Sequence, residues 1–423
     1  MFQVTNLHRR RRQRQIRLVL ILVALVYLLC FHFPSPPTWQ NNTRADRKAP
    51  HHEVREKADF LYHSRFRKQP DLELEATLDE ALVQIETIAN ALTKPDEPLR
   101  KIWQTAKSNK ERTADSELWV DQNPGWEYEV RHLPSLISTG ATDVDVSILK
   151  KLVTDENALV LIHNNLSSIP LLGSFWSSYP RNVLRADLLR YLLLWYHGGY
   201  YADIDVYPKL SISSCQPLSP LFTNNHGTHN ISLVVGVEID EPFVSARTRK
   251  LWHWSRIYGF IQYSLYAPRR FSPLLRRVIV RALAHSSRHA EDSGNWYKSA
   301  RYSEEDILEV TGPGMFTDAL LDVLSETLPR EHGLVTTSSD RATNSDEKGR
   351  VTWAPFHALK STIWLDDSES SVDNHGGLVV LPINVWGNGQ RHSGSGGFDS
   401  PEACINHRFA RTWKKGWLEY LFG

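Results

Sequence analysis

The stretch Arg185–Pro208, RADLLRYLLLWYHGGYYADIDVYP, reads as a helix, a turn and a strand. A leucine-rich run is stopped by Gly198 and Gly199, the residue type that ends a helix by entering a backbone region other residues avoid. Asp187 and Arg190 lie three apart on that helix and share a face. Beyond the glycines, period-two alternation puts Ala202, Ile204 and Val206 on one side of a strand, and Tyr201, Asp203 and Asp205 on the other. Two carboxylates projecting together are costly to bury, because each raises the other's pKa. A divalent cation removes that cost, and hard oxygen ligands suit Mg²⁺ or Mn²⁺. The alternative is an ion-paired strand end in which Arg185 or Arg190 neutralises the aspartates.

A second Asp-x-Asp stands at Asp143 and Asp145 in STGATDVDVSILKKLV. Val146, Ile148, Leu149 and Leu152 follow it with helical spacing. Thr142, Asp143 or Asp145 is therefore an N-cap, with acids suited to the positive end of the helix. This pair is explained without a metal.

The chain has 423 residues, 41% hydrophobic and 23% charged, enough for a substantial core. A net charge of +1 offers no global attraction for nucleic acid. Six arginines between Arg9 and Arg17 instead precede the 14 uncharged residues Leu18–Phe31, the pattern of a membrane flank and its apolar segment. A cleaved signal peptide is the competing reading, but CFHFPSPP contains no small-x-small cleavage pattern, so an uncleaved anchor is expected, with the arginines in the cytosol. Its shortness suits a thin early-secretory membrane. The expected divisions are a cytosolic tail at 1–15, a transmembrane signal anchor at 16–33, a luminal stem at 34–98 and a catalytic domain at 99–423. Sequons at Asn41, Asn165 and Asn230 agree with a luminal chain. Cys215 and Cys404 are either a disulfide or two buried thiols, since sequence does not report their separation.

Within the stem, Leu74, Leu78, Ala81 or Leu82, Ile85, Ile88 and Leu92 predict an amphipathic helix, either a stem coiled coil or, as so short a run favours, a helix packed on its own domain. Beyond it, RKIWQT, ALVLIHNN, YYADIDVY and ISLVVGVEI alternate with helical runs, predicting an α/β domain with a mostly parallel sheet. Such sheets bind ligands at the carboxyl ends of their strands. HSSRHAEDSGNWYKSARYSEED and TTSSDRATNSDEKGR are expected to be surface loops.

The string from Arg185 to Pro208 resembles the core of glycosyltransferase family 32. KIWQT at Lys101–Thr105, NPGWEYEV at Asn123–Val130, VGVEID, TGPGMFTD at Thr311–Asp318 and CINHRFARTW at Cys404–Trp413 follow in that family's order. Within it, the resemblance is to the fungal initiation-specific α-1,6-mannosyltransferase group, over roughly residues 99–415. It implies a type II Golgi membrane enzyme of GT-A fold that uses Mn²⁺, with Mg²⁺ as the alternative. The implied donor is GDP-mannose and the implied acceptor a glycan, N-linked, in outer-chain or mannan synthesis with retention of configuration. A Golgi mannosyltransferase complex is an implied partner.

The resemblance also distributes roles. Asp205 and Asp203 would hold the metal, with His407, six residues before Trp413, as third ligand and His392 behind it. Asp187 and Arg190 would contact the donor sugar, Trp103 would stack on guanine, and Tyr201 would border the donor. Glu238 would stand near the acceptor without an assigned role. Three rivals are weighed. A phosphatase with a nucleophilic Asp requires the motif on the first strand, with Thr or Val where Tyr207 stands. A non-catalytic luminal subunit is opposed by the intact Asp187, Arg190, Asp203 and Asp205. A glycosphingolipid acceptor is opposed by the absence of a hydrophobic C-terminal anchor in RTWKKGWLEYLFG.

Overall fold

The computed structural model describes residues 64–92, 99–106, 113–132, 166–223, 230–294, 301–336, 350–367 and 375–409. The cytosolic tail, the signal anchor, most of the stem with Asn41, the Asp143/Asp145 pair and the expected strand ALVLIHNN with Asn165 lie outside the described residues. Among those described, no helix is long and apolar enough to cross a membrane.

Twelve strands are described: β1 Lys101–Ala106, β2 Glu127–His132, β3 Gly199–Ala202, β4 Val206–Pro208, β5 Leu233–Asp240, β6 Tyr258–Phe260, β7 Ser264–Ala267, β8 Val335–Thr336, β9 Arg350–Val351, β10 Ile363–Leu365, β11 Leu378–Leu381 and β12 Ile405–His407. The helices are α1 Leu72–Leu92, α2 Ala114–Gln122, α3 Leu172–Ser178, α4 Asn182–His197, α5 Ala246–Leu251, α6 Pro273–Asp292, α7 Glu304–Val310, α8 Pro313–Thr327 and α9 Ile383–Trp386. The central sheet has the order β10-β11-β5-β7-β3-β1-β2, with β6 beside β5. Strands β2, β1 and β3 are parallel, and β11 is parallel to β5. Strand β7 runs antiparallel to both β3 and β5, so those two share a direction. The sheet is therefore mixed but largely parallel, as the alternating elements predict.

Both faces of the sheet are covered, which is why its strands read as nearly unbroken apolar runs. Trp103, Tyr201, Val235 and Leu265 pack with α1, α4, α6 and α8 on one face. Ile102, Tyr200, Val234 and Tyr266 pack on the other with Trp119 of α2, Trp386 and the Cys215 and Cys404 region.

Two boundaries differ from the sequence reading. Helix α1 is part of the folded unit that holds the sheet, with Leu78, Leu82 and Ile85 buried in its main core. Arg276 of α6 pairs with Asp79 at 2.9 Å and Glu86 at 2.8 Å, and the Trp195 indole donates to Glu86 at 2.9 Å. The folded unit thus begins no later than Ser64 rather than at Leu99. The polar stretch from His285 also continues α6 to Asp292 instead of forming a loop. Its polar groups find partners in the interior: Ser286 donates to the Ala282 carbonyl and bonds the Tyr179 hydroxyl at 2.6 Å. The Ser/Thr-rich segment lies between β8 and β9, and residues 337–349 are outside the described set.

Candidate active site

Helix α4 ends where the glycines require it. Gly198 has φ 68° and Gly199 φ 98°, and a Cβ on Gly199 would stand 2.5 Å from the Lys101 carbonyl oxygen. That close approach lets β3 pair with β1 and delivers Asp203 to the carboxyl ends of both strands. The aspartates do not lie on one continuous strand, however. Strand β3 stops at Ala202, and a turn closed by the Val206 N–H donating to the Asp203 carbonyl at 3.0 Å carries both carboxylates before β4 resumes. The Asp203 N–H donates to Tyr263 O at 2.9 Å, and Gln104 Nε2 donates to Asp203 O at 3.0 Å, so the turn is clamped to β1 and to the segment before β7.

Strand β12 pairs antiparallel with β4, opposing His407 to Val206. The Arg408 N–H donates to Asp205 O at 3.0 Å, and His407 Nε2 lies 3.2 Å from Asp205 Oδ1. A Cys215–Cys404 disulfide crosses beside this pairing. It resolves the open question about the two thiols and ties the segment after the turn to the strand bearing His407. His392, the other candidate imidazole, is directed elsewhere, edge-on to Trp252 and Trp254.

Asp203 is held from below. Tyr201 donates its hydroxyl to Asp203 Oδ1 at 2.7 Å, and Thr105 bonds the same hydroxyl at 2.9 Å. Arg190 Nη2 lies 3.3 Å from that oxygen and 3.0 Å from Asp187 Oδ1, while its Nη1 donates to Gln262 O at 3.0 Å. Asp187 also accepts from the Thr311 hydroxyl at 2.9 Å. The Asp187/Arg190 pair is therefore buried, with side chains 5% and 7% exposed, and is not a surface pair. Arg185 takes no part; it donates to the Trp176 and Tyr179 carbonyls.

Burial pushes the Asp187 carboxyl upward, against the pull of Arg190 and the Thr311 hydroxyl. Burial also raises Asp203, opposed by Arg190 and reinforced by the neighbouring Asp205 charge. Glu238, at the carboxyl end of β5, is pushed up to about 7 by burial, with His407 drawing it down and Asp203 adding to the rise.

Two expected contacts are corrected. Trp103 is fully buried and donates its indole N–H to Gly198 O at 2.8 Å, so it supports the glycine turn and presents no face to a base. Tyr201 is also fully buried under Arg190 and sets the Asp203 carboxylate instead of bordering a ligand. Sequence reasoning passed over Thr105, Gln104, Tyr263 and Gln262. Gln262 Nε2 donates to both the Tyr191 hydroxyl and Thr311 O. Gln104 and Thr105 lie in KIWQT and Thr311 in TGPG, whereas Tyr263 and Gln262 lie in no quoted motif.

The donor chemistry fits a hard divalent ion. Asp203 Oδ1 takes the partner bonds, and Oδ2 has none among the described residues. Asp205 and His407 stand together beside it. Among the described residues no three acidic, Cys or His side chains form a ready cage. Magnesium-type sites use one or two carboxylates plus substrate phosphates, so a cage is not required.

Residues 108–225, which include Asp187, Arg190, Asp203 and Asp205, match the family described as a glycosyltransferase sugar-binding region containing a DXD motif. The chain carries this sugar-binding region over those residues, and the relatives that resemble it are named as glycosyltransferases. The chain is 26% identical over 319 residues to the initiation-specific alpha-1,6-mannosyltransferase of Schizosaccharomyces pombe, covering 74% of this chain and 63% of that protein. It is 25% identical over 328 residues to the protein of the same name from Candida albicans, covering 74% of this chain and 72% of that one. A putative glycosyltransferase of Saccharomyces cerevisiae, HOC1, is 26% identical over 63% of this chain and 55% of its own length. The chain thus spans a little under two thirds of the first of these relatives. The PaToxG glycosyltransferase structure is 14% identical with a TM-score of 0.32, over 60% of this chain and 80% of that one, too weak a likeness to carry an argument.

Proposed function

We propose that this protein is a glycosyltransferase that moves mannose from GDP-mannose to a mannose-bearing glycan, as an α-1,6-mannosyltransferase that retains configuration. The observation that carries the reading is the turn bearing Asp203 and Asp205, clamped at the carboxyl ends of β1 and β3 with His407 against Asp205. The names of the relatives support the sugar and the linkage, and the GT-A-type fold follows from the same reading.

Asp205, His407 and the open oxygen of Asp203 would hold Mn²⁺, or Mg²⁺. Such an ion supplies Lewis-acid stabilisation of a departing nucleoside diphosphate. The chain's own residues provide the order. Tyr201 and Arg190 fix one oxygen of Asp203, so the other is presented without a search over rotamers. Asp187, which accepts from the Thr311 hydroxyl, holds Arg190 in turn, which makes the Asp187/Arg190 pair a support for Asp203. The Asp205 backbone is fixed by Arg408, whose guanidinium is anchored on Asp115 at 2.6 Å. The basic run and apolar stretch before Pro34 support a Golgi signal anchor with the site luminal. They leave the glycan acceptor, N-linked on this reading, on the same side.

Release of free nucleotide from GDP-mannose, GDP-glucose, UDP-galactose and UDP-glucose, with and without Mn²⁺, tests the proposal. Turnover of GDP-mannose alone, requiring Mn²⁺ and lost in Asp205→Ala, is the expected result. Turnover of a UDP-sugar would replace the donor, and absence of turnover with every donor would favour a non-catalytic luminal subunit.

A further inference from the structure

We propose that Trp252 and Trp254 form a platform on which one hexopyranose unit of the glycan acceptor stacks, an inference that rests on the glycosyl-transfer reading above. The two indoles are stacked at 5.3 Å with 19° between their planes. His392 stands edge-on to both, at 5.2 Å and 4.8 Å. Trp252 is nevertheless 40% exposed and the adjoining Leu251 70% exposed. The result is a rigid aromatic surface backed by a second ring, open on its outer side.

Its place joins it to the proposed site. Ser393, next to His392, donates its N–H to Glu241 and accepts from the Asp240 N–H at 2.8 Å, so this loop is fastened to the carboxyl end of β5. Three residues before Ser393, Gln390 Nε2 donates to the Tyr263 hydroxyl at 3.4 Å. The Tyr263 ring packs on His407 at 4.2 Å, and His407 faces Asp205. One segment of chain, from Gln390 to Ser393, therefore connects the platform through Tyr263 and His407 to the Asp-x-Asp turn.

The chemistry of the surface selects the ligand. A pyranose presents a face of C–H groups rimmed by hydroxyls, which packs on an indole face by dispersion and by the partial negative charge of that neutral ring's face. The rim here is polar and of mixed sign, with Arg249 and Lys250 on α5 and a His253–Glu304 contact at 3.3 Å. An anionic lipid surface would require the acids Glu241 and Glu304 to face like charge, so a glycan is favoured.

The test is binding of α-1,6-linked mannotriose to the full chain in nanodiscs of zwitterionic lipid, without donor, by calorimetry. Maltotriose is the control, and GDP-mannose turnover is measured on the same preparation. Trp252→Ala is expected to weaken mannotriose binding at least about tenfold, and Trp252→Phe, which keeps a ring, to restore most of it. Equal unfolding midpoints would show that the fold is intact. Equal affinity in Trp252→Ala, no mannotriose binding by the wild type, or Trp252-dependent binding of phosphatidylserine vesicles in place of the sugar would each overturn the proposal. Loss of sugar binding in the variant of a protein that turns over no donor would support the platform while removing the transferase reading. Normal donor turnover with unchanged binding in Trp252→Ala would do the reverse.

Discussion

Removing residues 1–98 should unfold this protein, although the sequence places the start of the globular part at Leu99. Helix α1 contributes Leu78 and Leu82, both fully buried, and Ile85 to the main core. At about 1.5–3 kcal/mol for each fully buried aliphatic side chain, these three alone supply roughly 5–9 kcal/mol. The truncation also takes Glu75 from Arg281, whose side chain is 2% exposed and whose other acidic partner among the described residues is Asp322 at 2.9 Å. Whole domains are stable by about 5–15 kcal/mol, so the loss is comparable with the total. The single change Leu82→Ala, in a chain retaining α1, should cost about 2–5 kcal/mol through lost transfer energy and the cavity left behind. Urea unfolding of the chain from residue 51 onward, of its Leu82→Ala variant and of the 99–423 fragment provides the assay, with the midpoint read at unchanged slope. A 99–423 fragment that unfolds cooperatively at the midpoint of the longer chain would refute this reasoning. So would Leu82→Ala shifting stability by less than about 1 kcal/mol.

Gly199→Ala should destabilise the protein by about 2–3 kcal/mol or more, because φ 98° is strained for alanine and the new methyl meets the Lys101 carbonyl oxygen at 2.5 Å; an unchanged denaturation midpoint would contradict this. Replacing Cys215 and Cys404 together by serine opens a crosslink spanning 189 residues, and loop-closure entropy puts the cost at about 5 kcal/mol. Unfolding with and without reductant measures it, and the double variant should not respond to reductant. His285 is fully interior, its Nδ1–H donating to Glu309 O, and burial with the charges of Arg281, Arg67 and Arg256 lowers its pKa to about 3. With a folded pKa below the unfolded value of about 6.5, the unfolded chain alone binds this proton between pH 6.5 and 3. Its contribution is therefore present above pH 6.5 and lost as pH falls, by up to about 1.4 kcal/mol per pH unit. His285→Gln should reduce the acid-side slope by one proton, and an unaltered slope would show that His285 does not carry it.

The site was partly readable because its local chemistry is local in sequence. Gly198 and Gly199 end α4 with positive φ as their type demands, and the spacing of Asp187 from Arg190 places them on one face. What escaped is non-local. Whether Cys215 bonds Cys404, and whether His407 reaches Asp205, depends on β12 pairing with β4 across some two hundred residues, which no spacing reports. The strand through Asp203 and Asp205 was read as continuous because alternation cannot show that the Asp203 carbonyl accepts from Val206 and bends the chain into a turn. Trp103 illustrates the opposite error. An indole following Ile102 in a buried strand is ordinary core, and the family resemblance drew it toward a ligand that its burial excludes. Tyr263 and Gln262 act through backbone carbonyls and a ring face, features that residue type does not announce.

The central claim is that the Asp203–Asp205 turn and His407 form a metal-dependent nucleotide site. The most direct measurement is calorimetric titration of the protein with Mn²⁺ in the presence of GDP, for the wild type, Asp205→Ala and His407→Ala. The account predicts saturable binding that needs both ligands and weakens at least about a hundredfold in Asp205→Ala, or about 2.7 kcal/mol, with a smaller loss in His407→Ala. Mn²⁺ and GDP bound equally well by a folded Asp205→Ala protein would place the metal elsewhere and contradict it.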